Sequence, residues 1–141
     1  KGLPAQEVIR RVKEQGGLIA IPHPFDTIRR GVIDKAVLKD ILGDVDFIET
    51  FNARNVLESA NRSARRLAQE HGIISTSVSD GHTPMELGRA YVEIQDFDGS
   101  PQGLKEAVAE GRLVCQKTHP LIHLLTVYAK MHKRAASLVK A

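Results

Sequence analysis

The chain has 141 residues, 42% hydrophobic and 26% charged, with a net charge of +3, a balance that excludes disordered, collagen-like and low-complexity chains and suits one folded domain or a piece of a larger one. No apolar run nears the roughly 18 residues that a membrane-spanning helix needs, and the opening residues show no charged stretch followed by an apolar core. The one cysteine, Cys115, excludes an internal disulfide, and aromatic residues at 4% without tryptophan leave little for a base-stacking platform.

Together these features predict a cytoplasmic protein without a membrane partner. The basic residues are scattered (Arg10, Arg11, Arg29, Arg30, Arg62, Arg65, Arg66, Lys133, Arg134) as on solvated helix faces. The chain starts at Lys1 rather than Met and enters a helical pattern almost at once, as a piece of a longer protein would. Pro4 begins a helix with Val8, Ile9 and Val12 on one face, and Gly16-Gly17 stops it with a left-handed cap. Residues 18–21 read as a short buried strand running into the rigid Pro22-His23-Pro24. After a loop, Asp34 caps a helix carrying Val37, Leu38, Ile41 and Leu42, closed by Gly43.

Residues 45–51 form a second predicted strand. A longer helix from Ala53 presents Leu57, Ala60, Ala64, Leu67 and Ala68 on one face and closes at Gly72, before a third strand at 73–78. Beyond a loop at 79–88, residues 90–95 alternate as a half-exposed or edge strand. Ser100 and Pro101 start a helix with Leu104, Ala107 and Val108 as its buried stripe, ended by Gly111. Residues 112–115 make a last short buried strand ending in Cys115, read as an inert core thiol. Pro120 opens a final helix with Leu121, Leu124, Leu125, Tyr128 and Met131 on its apolar side, leading into a basic tail with His132.

Helices alternating with strands at this spacing predict an α/β fold with a parallel sheet and right-handed crossovers. In such folds function collects at the carboxyl ends of the strands. Three successive strands are followed there by polar groups: His23, then Asn52, then Asp80 with His82. Taken singly, Pro-His-Pro is a rigid loop and Ser-Asp-Gly-His a turn. Together, imidazole and carboxylate on one rim suit Zn, Mn or Fe rather than calcium. Such an ion acidifies bound water and draws charge from a phosphoryl oxygen, so hydrolysis is the expected chemistry.

The runs Gly16-Gly17-Leu18-Ile19-Ala20-Ile21-Pro22-His23-Pro24-Phe25, Asp46-Phe47-Ile48-Glu49-Thr50-Phe51-Asn52-Ala53-Arg54, Ser79-Asp80-Gly81-His82-Thr83 and Glu86-Leu87-Gly88-Arg89-Ala90-Tyr91 carry a further signal. In order and spacing they resemble the C-terminal half of the PHP family, named for polymerase and histidinol phosphatase. The resemblance covers residues 6–95, leaving 96–141 as a C-terminal extension with βα elements and the basic tail. It implies the C-terminal part of a distorted (β/α)7 TIM-like barrel that holds two or three metal ions on its rim and hydrolyses a phosphorylated small molecule or nucleotide. It implies His23, Asp80 and His82 as ligands of zinc, manganese or iron, Asn52 as a substrate-positioning residue and Arg54 as a phosphate contact. For Arg54 a solvated position at a helix start is the competing reading.

The family's earlier motifs, a His-x-His, a following Asp and His, and a glutamate and further histidine before the third motif, do not occur within these residues. The metal set implied is therefore incomplete, although three protein ligands plus water suffice for one ion. Glu49 falls on the opposite strand face from Asn52 and takes no ligand role. Gly81 stands where the family more often has alanine. His119 and His123 have chelating spacing but lack the glutamate of an HExxH motif, so capping and surface roles are expected; His71 belongs near a helix C-terminus. Two other functions compete with the enzyme. One is a non-catalytic module whose open strand edges are covered by the missing N-terminal half or by a second copy. The other, a nucleic-acid accessory role, rests on the mild positive charge alone.

Overall fold

In the computed structural model, which describes residues 2–28, 32–119 and 121–122, Pro4 leads into α1 (Ala5–Glu14). The helix ends because Gly16, at φ +72°, turns the chain so that the N–H groups of Gly16 and Gly17 bond Lys13 O and Val12 O, each at 2.9 Å. A side chain at Gly17 would bring its Cβ within 2.7 Å of Val12 Cγ1, so the predicted glycine stop is a steric requirement. Apart from Leu121 and Ile122, the final helix expected from Pro120 lies outside the described residues, as do Arg29, Arg30, His123, His132, Lys133 and Arg134.

The first strand is shorter than its apolar run. β1 covers only Ala20–Ile21, because Asp46 takes over at Ile19: its Oδ2 accepts from Ile19 N at 2.8 Å, while Ile19 O accepts from Asp46 N and Phe47 N. Asp46 also accepts from Lys105 Nζ at 2.6 Å, which ties α4 (Pro101–Ala109) to the start of the sheet. Burial pushes the Asp46 carboxyl up, but the Lys105 ammonium and the Ile19 N–H outweigh it and hold it below the usual aspartate range.

Asp34 caps α2 (Lys35–Ile41) as expected, accepting from Ala36 N at 2.8 Å and Val37 N at 3.4 Å. β2 (Phe47–Asn52) and β3 (Ile74–Val78) complete a three-stranded parallel sheet in the order β1-β2-β3. Between them α3 (Glu58–His71) starts five residues later than its pattern suggested. Asn52 is the cause: its Oδ1 accepts from Arg54 N at 2.9 Å and its carbonyl from Asn55 N at 3.2 Å, an Asx-type turn that delays the helix. Leu57 is accordingly exposed, whereas Ala60, Ala64 and Ala68 are buried as predicted and bring α3 close to the sheet. Ile9, Ile21, Leu38, Ile41 and Ile48 form the centre of the apolar core.

Beyond β3 the all-parallel expectation fails. β4 (Ala90–Glu93) and β5 (Arg112–Cys115) are a separate antiparallel pair, so the segment 94–111 with α4 leaves and returns at the same end. The described strands give an α/β arrangement around a three-stranded parallel sheet, not a closed barrel. Serine hydroxyls join the pair to β3: Ser77 Oγ donates to Val114 O at 2.6 Å, and Ser79 Oγ accepts from Ala90 N at 2.9 Å. Because this second sheet is thin, no residue of α4 is fully buried. Cys115, expected in the core, is exposed. No described helix is long and apolar enough to cross a membrane.

Candidate metal centre

The parallel sheet brings the predicted strand-end groups to one edge and links them by hydrogen bonds. Glu49 Oε2 accepts from His23 N at 2.9 Å and from Asn52 Nδ2 at 3.2 Å. The same Asn52 nitrogen donates to Asp80 Oδ2 at 3.0 Å, and Asp80 Oδ1 lies 3.8 Å from His82 Nε2. Asn52 is fully buried. From the helix side, Asn61 Oδ1 accepts from Asn52 N at 3.1 Å and from Asn55 Nδ2 at 2.6 Å.

Glu49 corrects the sequence reading. In a regular strand it would face away from Asn52, but β2 pairs Glu49 with Thr76 and then Phe51 with Ser77. Thr50 is thus an extra residue, and the bulge resets the alternation so that Glu49 and Asn52 share one side. Alternation alone hides such a reset. The available signal was two strongly polar residues in an otherwise apolar strand, both of which need partners once buried. Asn61 was also missed, although it adjoins the Ala60, Ala64 and Ala68 stripe that packs on the sheet.

Arg54 is not at a solvated helix start. Its side chain is 3% exposed and its Nη1 donates to Glu86 Oε1 at 2.8 Å. Glu86, itself fully buried, accepts through Oε2 from His82 N and Thr83 N, each at 2.9 Å, and from Thr83 Oγ1 at 3.0 Å. Burial pushes the Glu86 carboxyl up, but the His82 N–H, the Thr83 hydroxyl and the Arg54 charge prevail and hold it below the usual glutamate range. Glu86 is the post around which the Asp80–His82 loop winds. Gly81 fits tightly against it, since an added Cβ would meet Glu86 Cβ at 3.1 Å.

Residues 58–113 match the family described as PHP-associated. The chain carries a PHP-associated region. Two uncharacterized proteins of Methanocaldococcus jannaschii are similar to it. MJ0417 is 34% identical over 95 residues, which are 65% of this chain and 40% of that protein. MJ1587 is 43% identical over 53 residues, 38% of this chain and 29% of that protein. The chain therefore spans less than half the length of these curated relatives. No solved structure matches it.

The PHP-associated segment runs from the start of α3 into β5 and contains Asp80, His82 and Glu86, while His23, Glu49 and Asn52 precede it. The two parts meet through Asn52. Among the described residues, no group of three His, Cys, Asp or Glu side chains is placed to hold a metal ion. Two features nevertheless fit a cation. His23 Nδ1 is buried without a hydrogen-bond partner, and the Asp80 carboxylate stands beside an imidazole.

The backbone adds a third feature. Among the described non-glycine residues only His23, at φ +29°, and Asp80, at φ +49°, have positive φ, a conformation that costs about 1–3 kcal/mol at each position. Glycine at position 23 would relieve both this strain and the unpartnered nitrogen. His23→Gly is therefore expected to leave the melting temperature unchanged or raise it in thermal unfolding. A drop of several degrees would show instead that His23 is retained for packing.

Proposed function

We propose that the chain is the C-terminal part of a PHP-type metal-dependent phosphoesterase, and that its three-stranded sheet is part of a barrel completed by the rest of the parent protein. In this reading His23, Asp80 and His82 hold a divalent transition metal, zinc, manganese or iron, together with ligands from outside this chain. The observation that carries the proposal is that the two strained non-glycine residues are both candidate ligands, at the ends of strands flanking β2. They are joined through Glu49 and the buried amide of Asn52. Strain of this kind persists where the surrounding structure over-determines it, and it clusters at functional sites.

When bound, the ion would acidify water and draw charge from a phosphoryl oxygen. The chain's own residues orient the donors. Asn52 fixes Asp80 through Oδ2, which leaves Oδ1 on the His82 side. Glu49 fixes the backbone of His23. Asn52 and Arg54 fit positioning roles better than substrate contact: Asn52 is buried and gives its Nδ2 to Glu49 and Asp80, and Arg54 supports the loop through Glu86. Met85 and Leu87, 70% and 74% exposed beside buried Glu86, suit a surface that the rest of the parent or a second copy covers.

The test is phosphate release from a generic phosphomonoester by the parent protein. His82, whose side chain is 42% exposed, can be truncated without opening a core cavity. Loss of activity in His82→Ala and on chelation is expected; activity that survives both unchanged contradicts the proposal.

A further inference from the structure

β2 loses its strand neighbour on one side before it reaches the candidate site. β1 pairs with it only through Ala20 with Phe47 and Ile21 with Ile48, and the Pro22 and Pro24 that follow have no N–H with which to extend the ladder. On the other side β3 continues, and Ala53 N donates to Val78 O at 3.0 Å. The N–H and C=O of Asn52, one residue back, therefore point away from β3, into the gap that β1 leaves. Backbone groups buried in such a gap need partners.

A single side chain of α3 supplies both. Asn61 Oδ1 accepts from Asn52 N at 3.1 Å and Asn61 Nδ2 donates to Asn52 O at 3.4 Å, so its amide stands where the peptide group of a neighbouring strand would be. The two bonds also fix which way the amide is turned, since only its oxygen can take the N–H. Asn55 Nδ2 donates to the same oxygen at 2.6 Å and braces it from the turn after β2. Asn61 is fully buried, between Ala60 and Ala64 of the stripe that packs on the sheet. Asparagine is a poor helix former, and a buried amide is favourable only when it is bonded. Its place in α3 is thus decided by Asn52 rather than by the helix.

We propose that Asn61 is a positioning residue for the candidate metal centre, acting through Asn52. It holds the Asn52 backbone at the depth and rotation from which Nδ2 reaches both Glu49 Oε2 and Asp80 Oδ2. In a complete sheet the ladder to a neighbouring strand would fix that residue; here a helix side chain does so. The inference rests on the metal reading of this rim. It adds to that reading a residue of α3, inside the PHP-associated segment, that sets the geometry of a ligand it does not itself replace.

Manganese titration of the parent protein and of Asn61→Ala, Asn52→Leu and the double variant tests this. Asn61→Ala is expected to weaken manganese binding about tenfold, the usual scale for a group that orients a ligand. In the Asn52→Leu background the same change is expected to cost less than about twofold, because no side-chain amide remains for it to place. A merely structural role would weaken binding by the same factor in both backgrounds. Asn61→Ser, whose hydroxyl still bonds Asn52 over a shorter reach, is expected to lie between the parent and Asn61→Ala, and it takes the place of Asn61→Ala in both backgrounds if that variant does not fold. Unchanged affinity in the Asn61 variants while His82→Ala loses the metal overturns this inference alone, as does an equal loss with and without Asn52. Unchanged affinity in His82→Ala overturns the metal reading and this inference with it.

Discussion

Replacing Glu86 with alanine is expected to lower the unfolding free energy by about 3–5 kcal/mol, the cost of breaking a buried ion pair from one side. The change leaves the Arg54 guanidinium buried without this carboxylate and also withdraws the acceptor of His82 N, Thr83 N and Thr83 Oγ1. Chemical denaturation measures the loss, and a change below about 1 kcal/mol, the scale of a surface ion pair, would contradict the role of Glu86 as the buried post of the loop. Acid provides a second readout. Because the folded pKa of Glu86 is depressed, its contribution is fully present above the ordinary glutamate range near pH 4.3 and is lost as pH falls through the folded value. Asp46, also depressed, acts in the same direction. Stability should therefore fall on acidification, and less steeply in Glu86→Gln.

Asn52→Leu is expected to weaken metal binding about 10–100-fold, the usual effect of removing a group that orients a ligand. Leucine keeps the branched outline of asparagine, with bulkier methyl groups, but removes the amide that bridges two carboxylates. Glu49 Oε2 and Asp80 Oδ2 both accept from Asn52 Nδ2, and without it they face one another as like charges. Manganese or zinc titration of the parent protein and of the variant measures the effect. Affinity within about twofold of the parent would show that Asn52 only fills space and would remove the link between the two halves of the proposed site. Truncating a ligand itself, as in His82→Ala, should cost more than truncating this positioning residue.

What was legible in the sequence was mostly local. Asp34, Ser100, the Gly16-Gly17 pair and Gly72 mark helix ends because each acts within a few residues of itself, and all four do so in the structure. The strand-end polar groups were legible because a parallel sheet delivers its carboxyl ends to one rim. What escaped depends on partners far along the chain. The burial of Arg54 is decided by Glu86, 32 residues later. The side on which Glu49 lies is decided by a register shift against β3. The β4 and β5 strands read like another βα repeat, and only their pairing shows that they run antiparallel. Cys115 reads as a core residue from its apolar neighbours, but the sheet that carries it is thin and leaves it at the surface.

The claim that His23, Asp80 and His82 form one metal site is tested most directly by anomalous diffraction from crystals of the parent protein soaked in manganese or zinc. The account predicts a peak about 2.0–2.2 Å from donor atoms of all three residues. A metal peak confined to other surface histidines, or none at this rim, would contradict it.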